Sequence, residues 1–98
     1  MANNDLHFLT TLENIIGDRL ASPSQDSYTS SLAALGTRRI AQKVGEEAVE
    51  LALASVDGDR DDVVNEAADL VYHLLVLLRH SSVGLSDVVD VLESRHTG

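Results

Sequence analysis

Glu46-Glu47-x-x-Glu50 and Glu66-x-x-Asp69 place acidic side chains at helical spacing inside one stretch, Lys43 to His73. Residues three apart on a helix are neighbours and can share one ligand, so Glu47 pairs with Glu50 and Glu66 with Asp69. Both motifs sit in otherwise apolar helical sequence, where an ionised carboxylate is costly unless a cation accompanies it. Two chemistries meet that need. One is an internal ion-pair network with Arg38, Arg39 and Lys43, since charged helix faces are commonly structural or solvated. The other is a divalent metal site, for which all-oxygen donors suit Mg²⁺ or Mn²⁺ rather than zinc. Mg²⁺ held by a few carboxylates keeps waters and bridges to phosphate oxygens. Arg39 and Lys43 would then meet the phosphates left uncovered. His73, one turn beyond Asp69, reads as a core or hydrogen-bonding histidine ahead of a zinc ligand. No phosphate-binding glycine loop, H-E-x-x-H or G-x-S-x-G motif accompanies these residues.

The elements that position the carboxylates are helices. On a wheel of about 100° per residue with Glu46 at zero, Arg39 falls near roughly 20°, Glu50 near 40°, Lys43 near 60° and Glu47 near 100°. The apolar stripe of Ile40, Leu51 and Val44 follows at roughly 120–160°. Glu47 therefore borders the apolar face, Glu50 comes next and Glu46 lies farthest out. Around Glu66 and Asp69 the sequence is apolar nearly all round, through Val63, Ala67, Leu70, Val71, Leu74 and Leu77, which predicts a buried helix. Asp57-Gly58-Asp59 is a turn signal, so the two acidic helices are expected to be antiparallel neighbours with their carboxylates facing each other.

The whole chain reads as one domain over residues 1–98, all-α, with four bundle-like helices. The first spans residues 5–20, with Leu6, Leu9, Leu12, Ile16 and Leu20 at spacings of three and four and a cap at Asn4 or Asp5. Ala21 to Ser31, containing Pro23, is expected to be a loop whose Ser27-Tyr28-Thr29 run is polar enough to contact a ligand. The second helix runs from Ser31 to Val56, with a break at Gly36 and a close backbone approach at Gly45. The third runs from Asp61 to His80, and the fourth covers residues 86–96 with Ser86 as cap. Val49 and Leu53 lie at roughly 300–340° on the same wheel, away from the Ile40 stripe. An element apolar on two sides needs two partners, which predicts a homodimer.

Net charge of −9 disfavours nucleic acid and anionic membranes as partners, while leaving room for a phosphorylated substrate carried by divalent cations. The absence of cysteine removes disulfides, thiolate nucleophiles and cysteine-based zinc sites. The start, MANNDLHFL, lacks the basic and apolar regions of a signal peptide, and no apolar run of spanning length exists. A cytoplasmic protein is the expectation.

The two acidic motifs together resemble the signature of the all-α nucleotide pyrophosphatase (MazG-like) superfamily. Within it, SYTSSL, GTRRIAQKVGEEAVELALA and NEAADLVYHLLVLL resemble phosphoribosyl-ATP pyrophosphatases, and the likeness covers residues 6 to 96. It implies Mg²⁺-dependent hydrolysis of 1-(5-phosphoribosyl)-ATP to 1-(5-phosphoribosyl)-AMP and pyrophosphate, the second step of histidine biosynthesis. It implies Glu47, Glu50, Glu66 and Asp69 as metal ligands, with Glu46 as the first acid of the motif and a further catalytic candidate. Arg38, Arg39, Lys43, Tyr28 and His73 are the candidate substrate-binding residues. Helical homodimers or larger assemblies are implied as well. So are fusions to a cyclohydrolase domain, for which 98 residues leave no room. Two other functions suit the same residues. A house-cleaning pyrophosphatase of non-standard or deoxynucleoside triphosphates would share the metal site. A non-catalytic helical dimerisation module would share only the ion pairs.

Overall fold

The computed structural model describes residues 4–97, with side chains from Leu6 onward, and all regular structure among them is helical. Five helices follow one another: α1 (Asn4–Ala21), α2 (Tyr28–Ala34), α3 (Thr37–Asp57), α4 (Arg60–His80) and α5 (Leu85–His96). The cap expected at Asn4 or Asp5 lies outside the described side chains.

The α3–α4 hairpin is the frame of the molecule. Gly58 ends α3 in a left-handed conformation (φ +83°), with its N–H on the Ala54 carbonyl at 3.0 Å, a backbone state that strains any residue with a Cβ. Asp59 opens α4 at once. Its carboxylate accepts the Asp61 and Asp62 N–H groups at 2.9 and 3.2 Å, an N-cap that satisfies otherwise orphaned donors. Asp61 and Asp62 in the first turn, with Arg79 and His80 in the last, oppose the helix dipole at both ends. So short a turn makes α3 and α4 antiparallel neighbours along their length.

The helix expected over residues 31–56 is divided at Gly36, where the break was expected. Gly36, at φ +91°, separates α2 from α3. The segment expected as loop up to Ser31 is helical from Tyr28, with Ser27 as its cap: Ser27 Oγ accepts the Ser30 N–H at 3.1 Å. Ser30 Oγ donates to the Arg19 carbonyl and accepts the Ser24 N–H, both at 3.1 Å. Ser27, Thr29 and Ser30 are buried with Leu32. Hydroxyl-rich sequence favours turns and caps in isolation; here α1, α3 and α4 supply the burial that makes it a helix. The fourth expected helix is α5. It starts at Leu85, so Ser86 lies inside it, and Gly84 is the cap residue, its N–H donating to Asp87 Oδ2 at 2.9 Å. The Leu85 N–H reaches Glu13 Oε2 at 2.6 Å and ties α5 to α1.

The core is small. Ile16, Leu32, Ile40, Leu75 and Val76 are buried, and Leu12, Leu20, Tyr72, Leu77 and Leu85 pack around them. This places the core at one end of the hairpin, where α1 and α2 cross it. Toward Gly58 the hairpin projects, and Val49, Leu53, Val56 (84% exposed) and Val64 are open. The radius of gyration, 14.7 Å, exceeds the roughly 13 Å of a compact domain of this length. The backbone approach expected at Gly45 is not made within this chain: a Cβ built there meets nothing within 4 Å. The close approach is at Gly17, where a Cβ would lie 2.5 Å from Arg79 Nη2. No helix among the described residues is long and apolar enough to cross a membrane.

Candidate functional site

The hairpin brings the two acidic motifs together. Glu47, Glu66 and Asp69 each offer a carboxylate oxygen within 4.8 Å of the others. Glu47, on the apolar border of α3, is 6% exposed, Glu66 is half-buried and Asp69 is exposed, so the cluster runs from a buried floor to an open rim. Glu50 faces it from one turn along α3. A hydrogen bond with Glu47, then the negative charges of Glu47 and Glu66, push its carboxyl above the ordinary range; slight desolvation adds to this and Lys43 opposes it. A raised carboxyl in an exposed position reports excess negative charge close by.

Cations answer only part of that charge. Lys43 Nζ lies 3.5 Å from Glu47 Oε1 and 3.9 Å from Glu46 Oε1. Among the described residues, Arg38 and Arg39 form no ion pair with the carboxylates, and neither Glu66 nor Asp69 is paired. The ion-pair network is thus reduced to one lysine. Glu46 stands outside the three-carboxylate cluster and accepts from Gln42 Nε2 at 3.0 Å. Glu47, the innermost of the three on the wheel, is buried, while Glu46 and Glu50 are both exposed.

Two recesses adjoin the carboxylates. A groove of ≈ 780 Å³ runs along α3 past Gln42, Lys43, Gly45, Glu47 and Glu50. A second pocket, ≈ 390 Å³, lies between α2 and α3 and is lined by Tyr28, Ser31, Leu32, Leu35, Arg39 and Lys43. Lys43 borders both. Three of the five expected substrate contacts, Tyr28, Arg39 and Lys43, therefore share one pocket. Arg38 is exposed and lines neither recess. His73 is buried behind Tyr28. Its Nδ1–H donates to the Asp69 carbonyl at 2.7 Å, and its Nε2 is 3.0 Å from Tyr28 Oη. Gln42 is not among the residues the acidic motifs single out, although its position four residues before Glu46 is a usable signal.

Residues 9–96 match the family model of phosphoribosyl-ATP pyrophosphohydrolases. The chain belongs to that family. Its relatives include the histidine biosynthesis bifunctional protein HisIE of Photobacterium profundum, 52% identical over 91 residues, which are 93% of this chain and 44% of that protein. The protein of the same name from Vibrio cholerae is 49% identical over 89 residues, 91% of this chain and 42% of the relative. That of Salmonella typhimurium is 50% identical over 95 residues, 97% and 47% respectively. The chain spans about half the length of the curated relatives it matches.

Three hard oxygen donors within 4.8 Å of one another, offset among the described residues by Lys43 alone, could hold a divalent cation, and such donors suit Mg²⁺ or Mn²⁺. The donor set lacks the nitrogen and sulfur ligands that zinc prefers, and His73 has both ring nitrogens engaged elsewhere.

Proposed function

We propose that this chain hydrolyses 1-(5-phosphoribosyl)-ATP to 1-(5-phosphoribosyl)-AMP and pyrophosphate, as the second step of histidine biosynthesis. The observation that carries the reading is the convergence of Glu47, Glu66 and Asp69 on a hairpin whose family match runs almost end to end. Glu47, Glu50, Glu66 and Asp69 hold Mg²⁺, with Mn²⁺ as a substitute. Bound there, the cation supplies charge neutralisation at the triphosphate and polarisation of the attacking water.

The chain's own residues do the rest. Lys43, at the border of groove and pocket, presents its ammonium to the phosphate oxygens, and Arg39 extends that positive lining toward the substrate's nucleoside end. Glu46 and Gln42 hold the groove wall and keep Lys43 in register. In the reaction, water adds to the α-phosphorus, the bond to the α–β bridging oxygen breaks, and pyrophosphate leaves. Holding these partners in line is the main contribution a protein makes to such a transfer. Exposed Val49, Leu53 and Val56 on α3 support a homodimer as the working form, and cytoplasmic residence is part of the same reading.

The test is pyrophosphate release from phosphoribosyl-ATP with and without Mg²⁺, beside a panel of deoxynucleoside triphosphates. Metal-dependent turnover of phosphoribosyl-ATP well above the panel is expected. Preference for the panel would move the assignment to house-cleaning hydrolysis, and no release from any nucleotide would leave a dimerisation module.

A further inference from the structure

Both tyrosines of the chain lie against His73, next to the carboxylates. The Tyr28 and His73 rings meet edge to face at 81° with centroids 5.8 Å apart. Tyr72 meets His73 at 88° and 5.2 Å, and meets Tyr28 at 32° and 6.1 Å. Tyr72 Oη is hydrogen-bonded to Thr29 Oγ1. The backbone fixes the imidazole. The Asp69 carbonyl can only accept, so the proton sits on His73 Nδ1, and in the neutral ring Nε2 accepts the Tyr28 O–H. No buried side-chain polar atom among the described residues lacks a partner.

This arrangement anchors Tyr28 by its hydroxyl while leaving the residue half exposed. The residue is 52% exposed, although its polar end is bonded to a histidine that is 7% exposed. Tyr28 lines the α2–α3 pocket, with Leu32 and Leu35 as apolar lining and Arg39 and Lys43 as cations. An aromatic side chain, aliphatic walls and cations beside the proposed polyphosphate site are the features that take a nucleobase.

We infer that Tyr28 is one wall of a nucleobase slot and that His73 is a positioning residue acting through it. The slot receives the purine while Lys43 carries the connection to the phosphates in the adjoining groove. This rests on the proposed hydrolysis for the identity of the nucleotide, but the slot itself follows from the pocket and the anchored ring. His73 touches no substrate in this arrangement. Its hydrogen bond to the Asp69 carbonyl also fixes where Tyr28 stands relative to the carboxylates.

The experiment measures kcat and KM for phosphoribosyl-ATP, Mg²⁺ affinity by calorimetry, and AMP binding by equilibrium dialysis, for wild type, Tyr28→Leu, His73→Ala and the double variant. Tyr28→Phe keeps the ring and loses the anchor. Tyr28→Leu should raise KM about tenfold or more with a much smaller change in kcat and Mg²⁺ affinity within twofold of wild type. His73→Ala and Tyr28→Phe should raise KM by a smaller factor. Adding His73→Ala to Tyr28→Leu should raise it no further, because the histidine acts through the ring. KM within twofold of wild type in Tyr28→Leu would overturn the slot. Additive effects in the double variant would overturn the positioning role. If wild type releases no pyrophosphate from phosphoribosyl-ATP, the hydrolysis reading fails and dialysis decides the slot alone. Saturable AMP binding lost in Tyr28→Leu supports it, and no AMP binding by wild type overturns it.

Discussion

Among the described residues Asp69 is exposed and has no ion-pair partner, and Glu50 is exposed and crowded by Glu47 and Glu66. Neutralising either therefore removes repulsion rather than a partner. Metal-free Asp69→Asn should melt within about 0.5 kcal/mol of wild type, as surface substitutions do, while pyrophosphate release falls by orders of magnitude. Glu50→Gln should behave alike in activity and gain stability at neutral pH. The pH dependence has a definite sign. The folded state holds the Glu50 proton more tightly than the unfolded chain does, so stability falls as pH rises from the ordinary carboxylate range through Glu50's higher value. Melting curves of metal-free wild type should show that decline, and Glu50→Gln should flatten it; a steeper decline in the variant would contradict the charge assignment. Glu47 as the inner acid of α3 was legible because burial follows helical angle. The Tyr28–His73 bond was not, because its partners are 45 residues apart in sequence and meet only through tertiary packing.

At the scale of the elements, Gly36 and Gly58 could be read as breaks because each occupies a left-handed backbone state. Helix α2 could not, since its start is serine- and threonine-rich and its stability comes from burial against α1, α3 and α4. The end of α4 carries an uncorrected strain. The Val83 N–H bonds to the Leu78 carbonyl at 2.8 Å and the Ser82 N–H to Arg79 at 3.0 Å, a closing motif whose left-handed position is normally glycine. Ser82 occupies it at φ +61°. Ser82→Gly should stabilise the protein by about 0.5–1 kcal/mol, the relief of strain less the added unfolded-state entropy. Ser82→Val should destabilise it. Gly45 offers a complementary test. With open space around it, Gly45→Ala should gain about 1 kcal/mol of helix propensity. If the groove beside it takes substrate or a second copy closely, KM or the dimer dissociation constant should rise in the same variant.

For the whole molecule the issue is burial. Among the described residues a core of five side chains holds one end of a projecting hairpin, and domains of this size are marginal even when compact. Sedimentation should find a dimer at low micromolar concentration, and the melting temperature should climb with protein concentration, as it does when association stabilises the folded state. A concentration-independent melt of a 10.5 kDa species would refute this. The helical class could be read from hydrophobic period alone. The small core could not, because periodicity shows which faces are apolar without showing whether this chain or another covers them.

The grouping of Tyr28 and Tyr72 around His73 has an optical consequence. The chain holds no tryptophan, two tyrosines and one phenylalanine, so its near-ultraviolet circular dichroism comes almost wholly from a single chiral cluster beside the carboxylates. Far-ultraviolet ellipticity reports the helices everywhere, whereas the aromatic band reports this one neighbourhood. Unlabelled protein therefore carries its own local spectroscopic reporter.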